Sequence, residues 1–287
     1  MSTAHPAPGG GAGGADEHSL AARIEWLLGP LGGRSAVAAR VYPTGAAAPV
    51  PGVPREVLLR ADAVFPAASL AKLPIAVELA RRVDLGALDW DERIDLASTP
   101  RAGGGSVLDA LDPAWQPTLA DLASLMLGVS DNTASNRLLD LIGMGEVNET
   151  MVRLGLTGTR LRRRFMDLAA RAAGRDNVIT ASDLLALLAL VRANAVPHAA
   201  RLRTLLQHDP RTEAVTFDLP PAAELAHKGG VLDDTIHAAG LLAGPAGACV
   251  YCVLTTDQRD LAYATLVCAR ILRLLWDAWC VPNARPA

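Results

Sequence analysis

The chain has 287 residues, 51% of them hydrophobic and 20% charged, with a formal charge of −3. That length holds one large domain or two small ones, and the near balance of charge excludes both the clustered basic surface of a nucleic-acid binder and the acidic excess of a solvating chain. The longest uncharged stretch, Ala238 to Leu254, is interrupted by Gly-Pro-Ala-Gly, so no membrane-spanning helix is expected.

Residues 1–16 are rich in Gly, Ala and Pro and predict a disordered tail, with the folded domain occupying 17–287. The tail has neither a basic n-region nor an apolar h-region, so the expected location is cytoplasmic. Its nominal G-x-G-x-x-G at Gly9, Gly11 and Gly14 follows no strand and opens no helix, and is not read as a phosphate cradle. From Asp16 to Leu28, Leu20, Ile24, Leu27 and Leu28 recur at helical spacing before Gly29-Pro30. Ser35–Tyr42 and Glu56–Val64 read as strands joined across the Pro/Gly-rich stretch Pro43–Pro54.

The pattern then turns helical. Ser69–Val83, Thr118–Gly128, Thr133–Ile142, Gly145–Leu154 and Ala181–Ala193 are the expected helices, several opened by Ser, Thr or Asp. Strand signals return in Glu224–Lys228, Thr235–Leu242 and Ala248–Thr256, and a long amphipathic helix runs from about Arg259 to Cys280. Strands from both chain ends around a helical insert predict an α+β protein: an antiparallel sheet flanked by helices (17–65 and 208–287) and an inserted all-α lobe (66–207). The cleft between such lobes is the expected place for chemistry.

Three motifs carry that chemistry. Ser69 and Lys72 stand three apart at the start of a helix and share one face, so an amine can take the proton that makes a Ser hydroxyl nucleophilic. Pro74 lies in the same stretch and is expected to disturb its hydrogen-bond ladder. In Ser130-Asp131-Asn132, Ser130 and Asn132 flank Asp131 just before a helix and can project together; a plain capping segment is the alternative reading. His227-Lys228-Gly229-Gly230-Val231 ends a strand with a cation and two glycines that admit close approach, or else is an ordinary Gly-Gly turn.

In this order and spacing the motifs closely resemble those of the class A β-lactamase family, including its transpeptidase-like and uncharacterised serine-hydrolase relatives. The similarity runs through SDNTASNRLLDLIG and Thr159-Arg160-Leu161 to the terminal strands and helix, about residues 18–282. The resemblance implies an acyl-Ser69 intermediate on a β-lactam, amide or ester, with Lys72 as proton acceptor or relay and Ser130 as shuttle to the leaving atom. It implies Asn132 as holder of a substrate amide and Lys228 as anchor for an anionic group. The backbone N–H groups of Ser69 and Val231, with Gly230 between Val231 and Lys228-Gly229, would form the oxyanion hole. No cofactor or metal is implied, and the partner is a small-molecule substrate; the oligomeric state stays open.

Two departures stand out. Family members that turn over lactams carry a Glu in the loop after the Arg-Leu pair, but no Glu occurs from Thr150 to Thr212. Asp167 is the nearest carboxylate, a displaced candidate base or a structural partner of Arg163 or Arg164. A missing base is worth about 10²–10⁴-fold in rate, so a lingering acyl-enzyme is expected. Alternatives are a genuine β-lactamase with an atypical deacylation route and a non-turnover lactam sensor. Gly229 also replaces the hydroxyl residue usual in K-[TS]-G. Cys249 and Cys252 form a C-x-x-C pair, but in a strand residues three apart face opposite ways, so buried free thiols are expected. His237, on a neighbouring strand, is a candidate for flanking the cleft.

Overall fold

The computed structural model describes residues 19–43, 55–112, 114–207 and 213–282. The expected tail therefore lies outside the described residues, as does most of the Pro43–Pro54 connection. Helix α1 spans Leu20–Leu28 behind the cap Ser19, whose hydroxyl accepts from Ala22 N. Strands β1 (Arg34–Pro43), β2 (Glu56–Leu59) and β3 (Phe65–Pro66) follow, then a 3-10 turn over Ala68–Ala71 and helix α2, Lys72–Asp84. The helical series continues with α3 (Leu119–Gly128), α4 (Asn132–Ile142), α5 (Met144–Arg153) and α6 (Leu168–Ala172). After β4 (Val178–Ile179) come α7 (Ala181–Arg192), α8 (Ala199–Leu206) and α9 (Glu213–Thr216). The chain returns through β5 (Glu224–Leu232), β6 (Thr235–Gly244) and β7 (Gly247–Thr256) to α10, Leu261–Trp279.

The sheet has the order β2-β1-β7-β6-β5, every neighbouring pair antiparallel, so strands from both ends of the chain interleave as expected. Both faces are covered. Val37, Ala39, Ala238, Leu242, Cys249, Tyr251 and Val253 pack with α1 and α10 in one core, whereas Ala36, Ala38, Ala239, Leu241, Val250, Cys252 and Leu254 pack with the helical insert in the other. Double coverage explains why β6 and β7 read as near-continuous apolar runs rather than alternating ones. Cys249 and Cys252 duly fall on opposite faces, and all four cysteines are buried free thiols.

Helix α2 is the buried axis of the insert: all nine residues from Lys72 to Ala80 are buried, and its arginines, Arg81 and Arg82, come only in the last turn. Pro74 does not disturb it. It is the third residue of the helix, where a backbone N–H has no intrahelical partner to lose. Glu78 is enclosed at mid-helix, where Arg81, Arg82 and Thr150 of α5 bond its carboxylate. Burial raises its pKa, and the hydrogen bonds from Arg81, Thr150 and Arg82 outweigh burial and hold it below the ordinary value.

Several sequence expectations move. The strand expected over Glu56–Val64 stops at Leu59, because Arg60 turns with φ of 49°. Phe65–Pro66 then pairs with Val178–Ile179, which ties the start of the insert to its later half. The strand expected to end at Lys228 runs on through Gly229 and Gly230 to Leu232, so the glycines lie inside a strand rather than in a turn. Among the described residues no helix is long and apolar enough to cross a membrane.

Candidate active site

Ser69 sits half-buried in the 3-10 turn that leads into α2, and Lys72 is the first residue of that helix. The junction places the fully buried Lys72 ammonium against four oxygens: Ser69 Oγ at 3.0 Å, Ser130 Oγ at 3.0 Å, Ser130 O at 2.9 Å and Asn132 Oδ1 at 2.9 Å. An ammonium has three protons, so four such contacts require sharing, and a hydroxyl can reverse its role when the amine is neutral. The structure thus brings four of the sequence-expected residues into one hydrogen-bonded cluster.

The scaffold around them is over-determined. Asp131 is fully buried; one carboxylate oxygen caps α4 through Ala134 N at 2.8 Å and the other accepts from Leu108 N at 2.7 Å. Asp131 therefore both caps and braces, so the two readings of Ser130-Asp131-Asn132 are complementary. Ser106 Oγ accepts from the backbone N–H groups of Asn132 and Thr133, and the Asn132 amide reaches Gly103 O and Gly104 O. Ala68, Ser130 and Met166 all adopt left-handed backbone, with φ of 47°, 60° and 63°. Each costs about 1–3 kcal/mol for a residue with a Cβ, and at Ser130 the bonds from Lys72 offset part of that strain.

Strand β5 forms the other wall. A Cβ on Gly230 would lie 3.1 Å from Ala68 Cβ and 3.3 Å from Ser69 N, so glycine is what lets this strand close on the nucleophile turn. Gly229 is different: its added Cβ would meet His227 Nε2 at 3.5 Å, an ordinary contact. Lys228 is buried, with Nζ donating to Gly229 O at 3.2 Å, while Val231 is exposed on the outer strand of the sheet. Opposite Gly230, His237 is buried with Nε2 2.8 Å from Pro66 O, and burial drives its pKa down to about 4. Nδ1 on the other side of the ring lies 3.0 Å from Ile236 O and 3.2 Å from Thr255 N, so backbone groups surround both ring nitrogens. His227, by contrast, is tied to Tyr251 OH at 2.7 Å.

Asp167 is not part of the cluster. It is exposed and caps α6, accepting from Ala170 N at 2.9 Å. Nor does it pair with the neighbouring arginines, since Arg163 bonds Asp176 at 2.7 Å and Arg164 pairs with Asp140. The side chain that this loop places at Lys72 is Phe165, its ring centroid 4.5 Å from Nζ. Asn136 clamps that residue by its backbone, accepting from Phe165 N at 2.9 Å and donating to Phe165 O at 3.1 Å. Sequence reasoning missed Phe165 and Asn136; the signal for the first was the missing Glu itself. Among the described residues no group of three or more His, Cys, Asp or Glu is placed to hold a metal ion.

Known proteins share this architecture. A β-lactamase from Sphaerobacter thermophilus superposes with a TM-score of 0.81 at 25% identity, covering 93% of this chain and all of that one. A mutant of PBP-A solved as an acyl-enzyme complex with penicillin G gives 0.77 at 23% identity, over 90% of this chain and 95% of that one. In sequence, 118 residues are 30% identical to the β-lactamase regulatory protein BlaB of Streptomyces cacaoi, 40% of this chain and only 37% of that relative's length. The model of the β-lactamase enzyme family matches residues 52–279, most of the chain and all three motifs, so the chain belongs to that family.

Proposed function

We propose that the protein is an acyl-transferring serine hydrolase that forms a slowly hydrolysed ester on Ser69 with a β-lactam, amide or ester substrate. The observation that carries this reading is the single amine of Lys72 within 3.0 Å of both Ser69 Oγ and Ser130 Oγ. As Ser69 Oγ bonds to the substrate carbonyl carbon, its proton passes to the amine of Lys72 acting as general base. The carbonyl oxygen takes the negative charge, facing the backbone N–H groups of Ser69 and Val231. When the tetrahedral species collapses the C–N or C–O bond breaks, and the leaving atom takes a proton through Ser130 Oγ, replenished from Lys72. Asn132 holds the acyl amide and Lys228 contributes positive charge.

Release of the acyl group needs an activated water, and Phe165 fills the place beside Lys72 where a carboxylate would serve. The same feature favours a second reading, a sensor acylated once per ligand; the partial likeness to a regulatory protein points the same way. Intact mass measured from seconds to hours after mixing with benzylpenicillin tests both. A persistent adduct, absent in Ser69→Ala, is the expected result. Multiple turnovers without an accumulating adduct would remove the sensor reading. No adduct and no hydrolysis with any lactam, ester or amide tried would overturn the mechanism.

A further inference from the structure

On the face of the sheet away from Ser69, α1 and α10 leave a cleft between them of about 370 Å³, lined in part by Arg23, Trp26 and Leu27 and by Arg270, Arg273 and Leu274. Both sets follow the spacing i, i+3, i+4, so each helix turns one leucine and two larger side chains toward the same space. The volume lies within the range of small-molecule sites. We propose that this cleft is a second binding site, for a small amphipathic anion with a flat apolar body and one carboxylate, sulfonate or phosphate group.

Charge and exposure both select that ligand. Three guanidiniums line the cleft against one carboxylate, Asp218. Asp218 holds Arg270 at 3.4 Å and, through its backbone oxygen, Arg273 at 3.1 Å, while Asp277 also grips Arg273. The two α10 arginines are thus pre-positioned, and Arg23 has no ion-pair partner among the described residues. A guanidinium fork matches an oxyanion in geometry as well as charge. Trp26 stands 78% exposed at the lip, a large apolar surface left to water unless a flat ligand covers it. Concavity favours a single bound molecule over a lipid surface, for which a convex patch would serve better.

The test is calorimetric titration of the whole chain with naphthalene-2-sulfonate, with 2-naphthol as the neutral analogue and vesicles of anionic phosphatidylglycerol in a separate sedimentation arm. One site per chain with Kd below about 1 mM is expected. Arg23→Glu and Trp26→Ala should each weaken it about tenfold or more, and 2-naphthol should bind at least about tenfold more weakly. Thermal unfolding of both variants should match the parent, because the two side chains are exposed, and their rate of Ser69 acylation should be unchanged. No saturable binding, equal affinity in Arg23→Glu, equal affinity for 2-naphthol, or binding to vesicles alone would each overturn the proposal.

Discussion

Replacing Phe165 by Glu tests why the acyl-enzyme should persist. The Phe165 backbone is held by Asn136 at both N and O, so the new side chain starts from a fixed point beside Lys72. A carboxylate near the present ring position, 4.5 Å from Nζ, attracts the ammonium by about 4 kcal/mol at an effective dielectric near 20, against about 0.5–2 for the cation–π contact it replaces. Loss of a nearly buried ring costs about 2–4 kcal/mol of packing, so a fall in Tm is expected alongside the chemical gain. A base placed there should accelerate hydrolysis of the Ser69 ester by about 10²–10⁴-fold. The adduct lifetime is read by intact mass after excess benzylpenicillin is removed, with Phe165→Leu as the apolar control, which should remain slow. If a folded Phe165→Glu protein released its acyl group within about tenfold of the parent rate, Phe165 would not be the barrier to hydrolysis.

Gly229→Thr should fold, because the added Cβ meets His227 Nε2 at an ordinary 3.5 Å, and a hydroxyl there should speed acylation by carboxylate-bearing lactams about tenfold or more while leaving neutral esters unaffected. Gly230→Ala should do the reverse: its Cβ at 3.1 Å from Ala68 forces β5 off the nucleophile turn, costing about 1–3 kcal/mol in denaturant unfolding and slowing acylation of every substrate. His237, neutral in the fold with a pKa near 4, contributes stability that is fully present above about pH 6.5 and is lost as pH falls toward 4. Between pH 7 and 5 that loss is about 2 kcal/mol, and urea titrations of His237→Gln should lack it. Glu78→Gln should cost about 2–3 kcal/mol by removing the buried carboxylate of Arg81 and Arg82 and leaving them the more exposed Glu146; the depressed pKa of Glu78 places its own acid-induced loss below about pH 4.5, where the two variants can be told apart.

Elements with their own local signals were legible from the chain. Thr118 opens α3 with a reciprocal cap to Asp121, and Thr180 caps α7, which matches its expected range within a residue. Elements made by distant partners were not. Strands β3 and β4 are two residues each and exist only because they meet across more than a hundred residues of chain. Helix α8 follows His198, which is left-handed and gives no side-chain cap, so nothing local marks its start. At β5, the glycines left two readings open, close approach or a turn, because a pair of them serves conformational freedom as often as contact. Here Gly230 serves a tertiary need, the approach of β5 to Ala68 and Ser69.

The same division runs through the site. Each of the pairs Ser69–Lys72 and Ser130–Asn132 is a weak signal alone, and they became legible only as ordered motifs resembling those of a known family, whereas Phe165 is an apolar residue after a run of arginines whose only signal is the Glu it displaces. The left-handed backbone at Ala68, Ser130 and Met166 was equally hidden, since none is glycine. Local preference would place each of them elsewhere, and at Ser130 bonds from remote residues hold the strained geometry. Lys72 bonds the carbonyl of Ser130 itself, and Ser106 fixes the backbone immediately after it. Three of the seven described non-glycine residues with positive φ thus gather at this one pocket, and the other four, Arg60 and His198 among them, stand in connections elsewhere. By that argument, a substitution that relieves the strain without touching a reacting group, such as Ala68→Gly, should cost acylation far more than it costs stability.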